Sequence, residues 1–146
     1  MKKTDSKYIL VVGCGRLGAH LAGQLSRQGH SVVVIDTDEA KLSSLPVEFG
    51  GFRVEGDATE VALLRQAKAD RADCLVAVTA DDNVNVAVAQ MGNRIFGVRE
   101  VFASVSNPER AAVSRELGVR TICPLTLASE ELLRRVTGCA EEDEKE

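Results

Sequence analysis

The chain has 146 residues, 45% of them hydrophobic and 27% charged, a balance that describes one soluble globular domain long enough to bury a core. Aromatic residues make up 3%, with no tryptophan, and no basic patch stands out, which excludes nucleic-acid binding by base stacking or by charge. The net charge of -4 resides in the tail Glu141-Glu142-Asp143-Glu144-Lys145-Glu146, so the body is neutral. The opening Met1-Lys2-Lys3-Thr4-Asp5-Ser6-Lys7 is too polar for a signal peptide, and no run approaches the ~20 apolar residues of a membrane span.

The first element is the apolar run Tyr8-Ile9-Leu10-Val11-Val12, which leads into Gly13-Cys14-Gly15-Arg16-Leu17-Gly18 and a helix. A second apolar run, Val32-Val33-Val34-Ile35, closes on Asp36. Strand, glycine turn, helix and strand ending in an acid form a nucleotide-binding unit. Gly13 permits the tight turn, Gly15 clears the way for a phosphate, and Gly18 lets the helix lie close to the strand. The free amides and positive dipole end of the helix then face that phosphate. Asp36 is spaced to hold the hydroxyls of an adenosine ribose, and its charge disfavours a 2′-phosphate.

Further along, Asp38 caps a short helix through Leu45 that Pro46 stops. Gly51 to Glu55 alternates as a third strand and runs into Gly56-Asp57-Ala58-Thr59, with Thr59 as cap of a third helix. Cys74 to Val78 is a buried strand ending at Thr79, and Asp81 or Asp82 caps the long helix after it. Glu100 to Val105 is a fifth strand, followed by a helix opened by Asn107-Pro108 and closed by Gly118. Val119 to Cys123 is a sixth strand, and a last helix runs from about Thr126 to Val136. Strands this apolar are covered on both faces, so the expected fold is α/β: a Rossmann-like, doubly wound parallel sheet in the order 3-2-1-4-5-6, within a single domain. The expected organisation is a polar segment over 1–7, a nucleotide-binding domain over 8–137 and an acidic tail over 138–146.

The ligand crevice then lies beyond the carboxyl ends of the strands, lined by the glycine loop, Asp36-Thr37-Asp38, Gly56-Asp57-Ala58 and Thr79-Ala80. Asp57 and the Ala58 backbone are placed to meet an adenine edge, although the same residues serve equally as a turn. Arg16 is a cation in the first turn of a helix, where it opposes the dipole by about 0.3–1 kcal/mol unless a polyphosphate binds there. The alternative places it in solvent. Cys14 could have a lowered thiol pKa beside the helix start, or simply fit a tight turn. Cys74 and Cys123 read as small buried hydrophobes, and the four cysteines, Cys139 included, show no metal-ligand spacing. No spare segment holds or polarises a second substrate, so the residues describe a non-enzymatic nucleotide site.

The motifs Gly13-Cys14-Gly15-Arg16-Leu17-Gly18, Val34-Ile35-Asp36, Gly56-Asp57-Ala58-Thr59, Val78-Thr79-Ala80-Asp81-Asp82-Asn83, Ser106-Asn107-Pro108-Glu109 and Leu117-Gly118-Val119 occur in order from Tyr8 to Val136. In this the chain resembles the RCK, or TrkA-N, nucleotide-binding domain of Trk/Ktr-type potassium-transport regulators. The resemblance implies a cytoplasmic regulatory subunit, peripheral to the inner face of the membrane, that forms homodimers or higher rings beneath a potassium channel or transporter. It implies an adenine nucleotide (AMP, ADP, ATP) or NAD(H) as ligand and gating of potassium transport as output. Carried over, Gly13, Cys14, Gly15, Leu17 and Gly18 form the phosphate loop, and Arg16 reaches a terminal phosphate, including across a subunit boundary. Asp36 holds the ribose, Asp57 and Ala58 the adenine, and Thr79 the far side, with Thr37 and Gly56 among the cofactor-binding residues. Ser104 replaces an arginine found in many members. Most such regulators also continue into a second sensing domain, so a larger RCK-type subunit is a further expected partner. The alternative reading is a small NAD-dependent oxidoreductase or redox sensor.

Overall fold

A computed structural model describes residues 5–138. Residues 1–4 and 139–146, which include Cys139 and nearly all of the expected tail, lie outside the described residues.

Six strands form one parallel sheet: β1 (Tyr8–Val12), β2 (Ser31–Asp36), β3 (Phe52–Glu55), β4 (Cys74–Ala77), β5 (Glu100–Ser104) and β6 (Arg120–Ile122), in the order β3-β2-β1-β4-β5-β6. This is the expected order, with the reversal between β1 and β4. Their connections are α1 (Arg16–Arg27), α2 (Glu39–Ser43), α3 (Val61–Gln66) with a 3-10 turn at Ala69–Arg71, α4 (Asp82–Arg94) and α5 (Pro108–Glu116), and α6 (Pro124–Val136) follows β6.

Alternation along each strand divides the core in two. Ile9, Val11, Val32 and Val34 face one side, where they pack with Ala22 of α1 and Leu42, Leu45 and Phe49 around α2. Leu10, Val33, Ile35, Leu75 and Val101 face the other, against Leu64 of α3 and Val88 and Ala89 of α4. Both faces of the central strands are therefore dry, which is why they read as unbroken apolar runs.

Local differences from the expected elements have local causes. Helix α2 ends at Ser43 rather than Leu45, because the residue before Pro46 is pushed out of helical conformation. The cap of α3 is Glu60, with no side-chain bond, and not Thr59. Thr59 donates instead, through its amide (2.9 Å) and hydroxyl (2.6 Å), to Asp57 Oδ1. β3 is largely exposed rather than alternating, since it forms the sheet edge. Helix α6 begins at Pro124, with Cys123 as its cap. Cys123 is thus half-buried at a helix start and not a core residue, and hydrogen bonding from Thr126 lowers its thiol pKa. Cys74 is also half-buried rather than fully buried, and burial pushes its thiol up to about 11.

Candidate functional site

The chain path at the carboxyl end of β1 is held by two glycines. Gly13 has φ +108°, and a Cβ there would lie 2.8 Å from the Thr79 nitrogen. A Cβ on Gly18 would lie 1.8 Å from the Gly13 carbonyl oxygen, so only glycine lets α1 approach the loop. Gly15 is different. A Cβ there meets nothing within 4 Å, so the space above it is open. Gly15 is the cap of α1, offers no side-chain hydrogen bond, and no acid follows in the first turn. The positive helix end is therefore left unneutralised beneath that open space, which is the arrangement that receives an anion.

Opposite it, Asp36 is fixed by two main-chain donors. The Cys14 amide donates to Oδ2 at 2.7 Å and the Asp38 amide to Oδ1 at 2.8 Å. Each oxygen retains acceptor capacity, so the carboxylate is oriented yet able to bind hydroxyls. The Cys14 bond ties the glycine loop to the carboxyl end of β2. The Cys14 side chain points away: it is buried beneath α2 and its thiol donates to the Lys41 carbonyl at 3.3 Å. Its pKa is raised, by burial first and by Asp36 second, which corrects the idea of a thiol activated by the helix.

These parts surround a cleft of about 340 Å³. It brings together Gly13, Gly15, Asp36, Thr37, Gly56, Asp57, Ala58 and Thr79. Cys14, Arg16, Leu17 and Gly18 do not line it; Arg16 and Leu17 are exposed outside, and Gly18 lies beneath the loop. Gly56 is required by packing, since a Cβ would fall 2.3 Å from Leu63 Cδ2. Asp57 is exposed, and its hydrogen bond from the Thr59 hydroxyl, then that from the Thr59 amide, lowers its carboxyl pKa. One oxygen is engaged in this turn, while Oδ2 accepts no bond among the described residues.

Sequence reasoning missed Lys41 and Asn85. Lys41 lines the cleft from α2 and adds a cation near Asp36. Asn85 is fully buried under Thr79, and its Oδ1 accepts from both the Thr79 amide (2.8 Å) and hydroxyl (2.6 Å). Its Nδ2 donates to the carbonyls of Thr79 (3.0 Å) and Ser104 (2.9 Å). A signal for it existed: Asn85 shares the helical spacing of Val88, Ala89 and Gly92, a polar residue on an otherwise apolar face.

Residues 9–124 match the TrkA-N domain model. The chain belongs to the TrkA-N family. Among relatives, it is 38% identical over 129 residues to the Trk system potassium uptake protein TrkA of Streptomyces coelicolor, a match covering 88% of this chain and 58% of that protein. A TrkA homolog of Methanothermobacter thermautotrophicus is 29% identical over 131 residues, with 89% and 60% covered. The TrkA-N chain thus spans less than two thirds of the length of either. Among solved structures, the TrkA-N domain of the Escherichia coli inner membrane protein ybaL superposes with a TM-score of 0.79 at 21% identity, covering 89% of this chain and 96% of that one. The GsuK protein bound to ADP gives a TM-score of 0.74 at 25% identity, covering 88% and 33%. The GsuK channel bound to NAD gives 0.77 at 24%, covering 95% and 24%.

Proposed function

We propose that this TrkA-N domain is a cytoplasmic, non-enzymatic regulatory subunit of potassium transport, which binds an adenine nucleotide or NAD(H) in the cleft between Gly15 and Asp36. The observation that carries the reading is the pairing of an open, uncapped helix start with a ribose-binding carboxylate already oriented by the Cys14 amide. Gly13, Gly15 and Gly18 shape the phosphate loop, Asp36 and Thr37 take the ribose, and Gly56, Asp57 and Ala58 the adenine. Thr79 closes the far side, and Arg16 reaches the terminal phosphate from outside the cleft. The names of the TrkA relatives support the potassium-transport role. The ADP- and NAD-bound GsuK structures support the ligand class.

Assembly follows from α6. It carries Leu125, Leu127, Leu132, Leu133 and Val136, all more than half exposed, and buries no residue. Such a face is covered when two copies, or a copy and a larger RCK-type subunit, pack together. Ligand occupancy then reaches a membrane channel or transporter through that assembly. Among the described residues no helix is long and apolar enough to cross a membrane.

Calorimetric titration of ligand-stripped protein with AMP, ADP, ATP, NAD and NADH tests the reading. Saturable binding that Asp36→Ala abolishes, with no change at the NADH absorbance band in the presence of carbonyl substrates, is the expected result. Absence of all binding, or turnover of NADH, would overturn it.

A further inference from the structure

A hollow of about 550 Å³ lies between α3 and the edge strand β3. It sits toward the amino ends of β1 and β3, opposite the nucleotide cleft, and shares no residue with it. Its apolar surface is provided by Tyr8, Val33, Val54 and Phe52. Phe52 is 74% exposed, although it stands beside the hollow and not inside a packed core. The Tyr8 hydroxyl is tied to the Ala67 carbonyl, which fixes the ring as a wall.

Three cations, Arg53, Lys68 and Arg71, line the same hollow. Arg53 is engaged elsewhere, donating to the Leu42 carbonyl and lying over the Phe49 ring, whereas Lys68 and Arg71 make no ion pair or side-chain hydrogen bond among the described residues. Lys68 is also the one non-glycine with positive φ (60°) among the described residues. It follows the cap of α3 at a position that glycine fills best, so a charged side chain is kept there against backbone preference. An apolar wall with a few converging polar groups is the form of a small-molecule site, and here the polar groups are all positive or neutral.

We propose that this hollow is a second ligand site, for a small organic monoanion with an apolar body, such as an aromatic carboxylate. The apolar body lies against Phe52 and Val54, and the carboxylate meets Lys68 and Arg71. The site is independent of the nucleotide reading.

The test is a 1H–15N NMR titration of the full chain with 4-phenylbutyrate, alongside its cationic counterpart 4-phenylbutylamine. Saturable shifts at Phe52, Val54, Lys68 and Arg71 with the carboxylate alone are expected, and they persist in Asp36→Ala. Lys68→Gln or Arg71→Gln weakens binding about tenfold, the loss of one charge-assisted contact. Lys68→Gly is expected to raise the melting temperature while also weakening binding, which separates lost contact from lost fold. No saturable shift, equal binding of the amine, or shifts confined to Gly13–Asp36 would overturn the proposal.

Discussion

Asn85 holds Thr79 by three hydrogen bonds, taking its amide and hydroxyl on Oδ1 and returning Nδ2 to its carbonyl, while a fourth bond reaches Ser104. The ends of β4 and β5 are thereby joined beneath Thr79, one strand away from the reversal of sheet order between β1 and β4. Thr79 in turn presses on Gly13, whose added Cβ would meet its nitrogen at 2.8 Å. Replacement by alanine removes all four of these bonds from a fully buried position. Asn85→Ala is expected to destabilise by about 2–4 kcal/mol and to weaken nucleotide binding. Urea unfolding read with calorimetry on the same sample checks both.

The three loop glycines separate folding from binding. Gly13→Ala and Gly18→Ala meet backbone atoms and should prevent a native fold. Gly15 has φ -78° and free space, so Gly15→Ala should fold with stability within about 0.5 kcal/mol of wild type. In the proposed binding mode its methyl group enters the phosphate position, and nucleotide affinity should fall at least about tenfold. Equal affinity in Gly15→Ala would remove the loop from the binding site.

Arg16 opens α1 against the helix dipole and has no acidic neighbour in the first turn. Arg16→Ala should therefore leave the free protein as stable as wild type or raise it by up to about 1 kcal/mol. The loss should appear only with ligand, and more for ATP and ADP than for AMP.

Thiol chemistry distinguishes the cysteines. Cys123, with its pKa lowered, should react with iodoacetamide at mildly alkaline pH before Cys14 or Cys74, whose thiols are raised. Peptide mass spectrometry orders the three. Cys74 ionises near 9 when unfolded and at about 11 when folded, so its contribution is present below pH 9 and lost as pH rises to 11. The stability of wild type minus that of Cys74→Ala should decline across that window in urea titrations.

Helix α6 should reveal assembly without altering the fold. Leu132→Glu with Leu133→Glu changes side chains already 61% and 62% exposed, so thermal stability of the monomer should shift little. Light scattering should find the wild type larger than a monomer, as the proposed assembly requires, and the double variant monomeric.

Much of this was written in local pattern. The strand order follows from apolar runs alternating with helices, because a parallel sheet with both faces covered has few right-handed solutions. Gly13, Gly15, Gly18 and Asp36 were legible because backbone clearance and strand-end placement are properties of spacing alone. What only the tertiary structure decided were relations between segments distant in sequence. The Asp36 carboxylate accepts a hydrogen bond from the Cys14 amide, Asn85 joins Thr79 to Ser104, and Lys41 lines the same cleft as Asp36. Cys14 turns inward for the same reason, since the space beneath α2 exists only once β1 and β2 are paired. Periodicity records which face a residue turns to the core, whereas a hydrogen-bond partner is chosen by the packing of the whole chain.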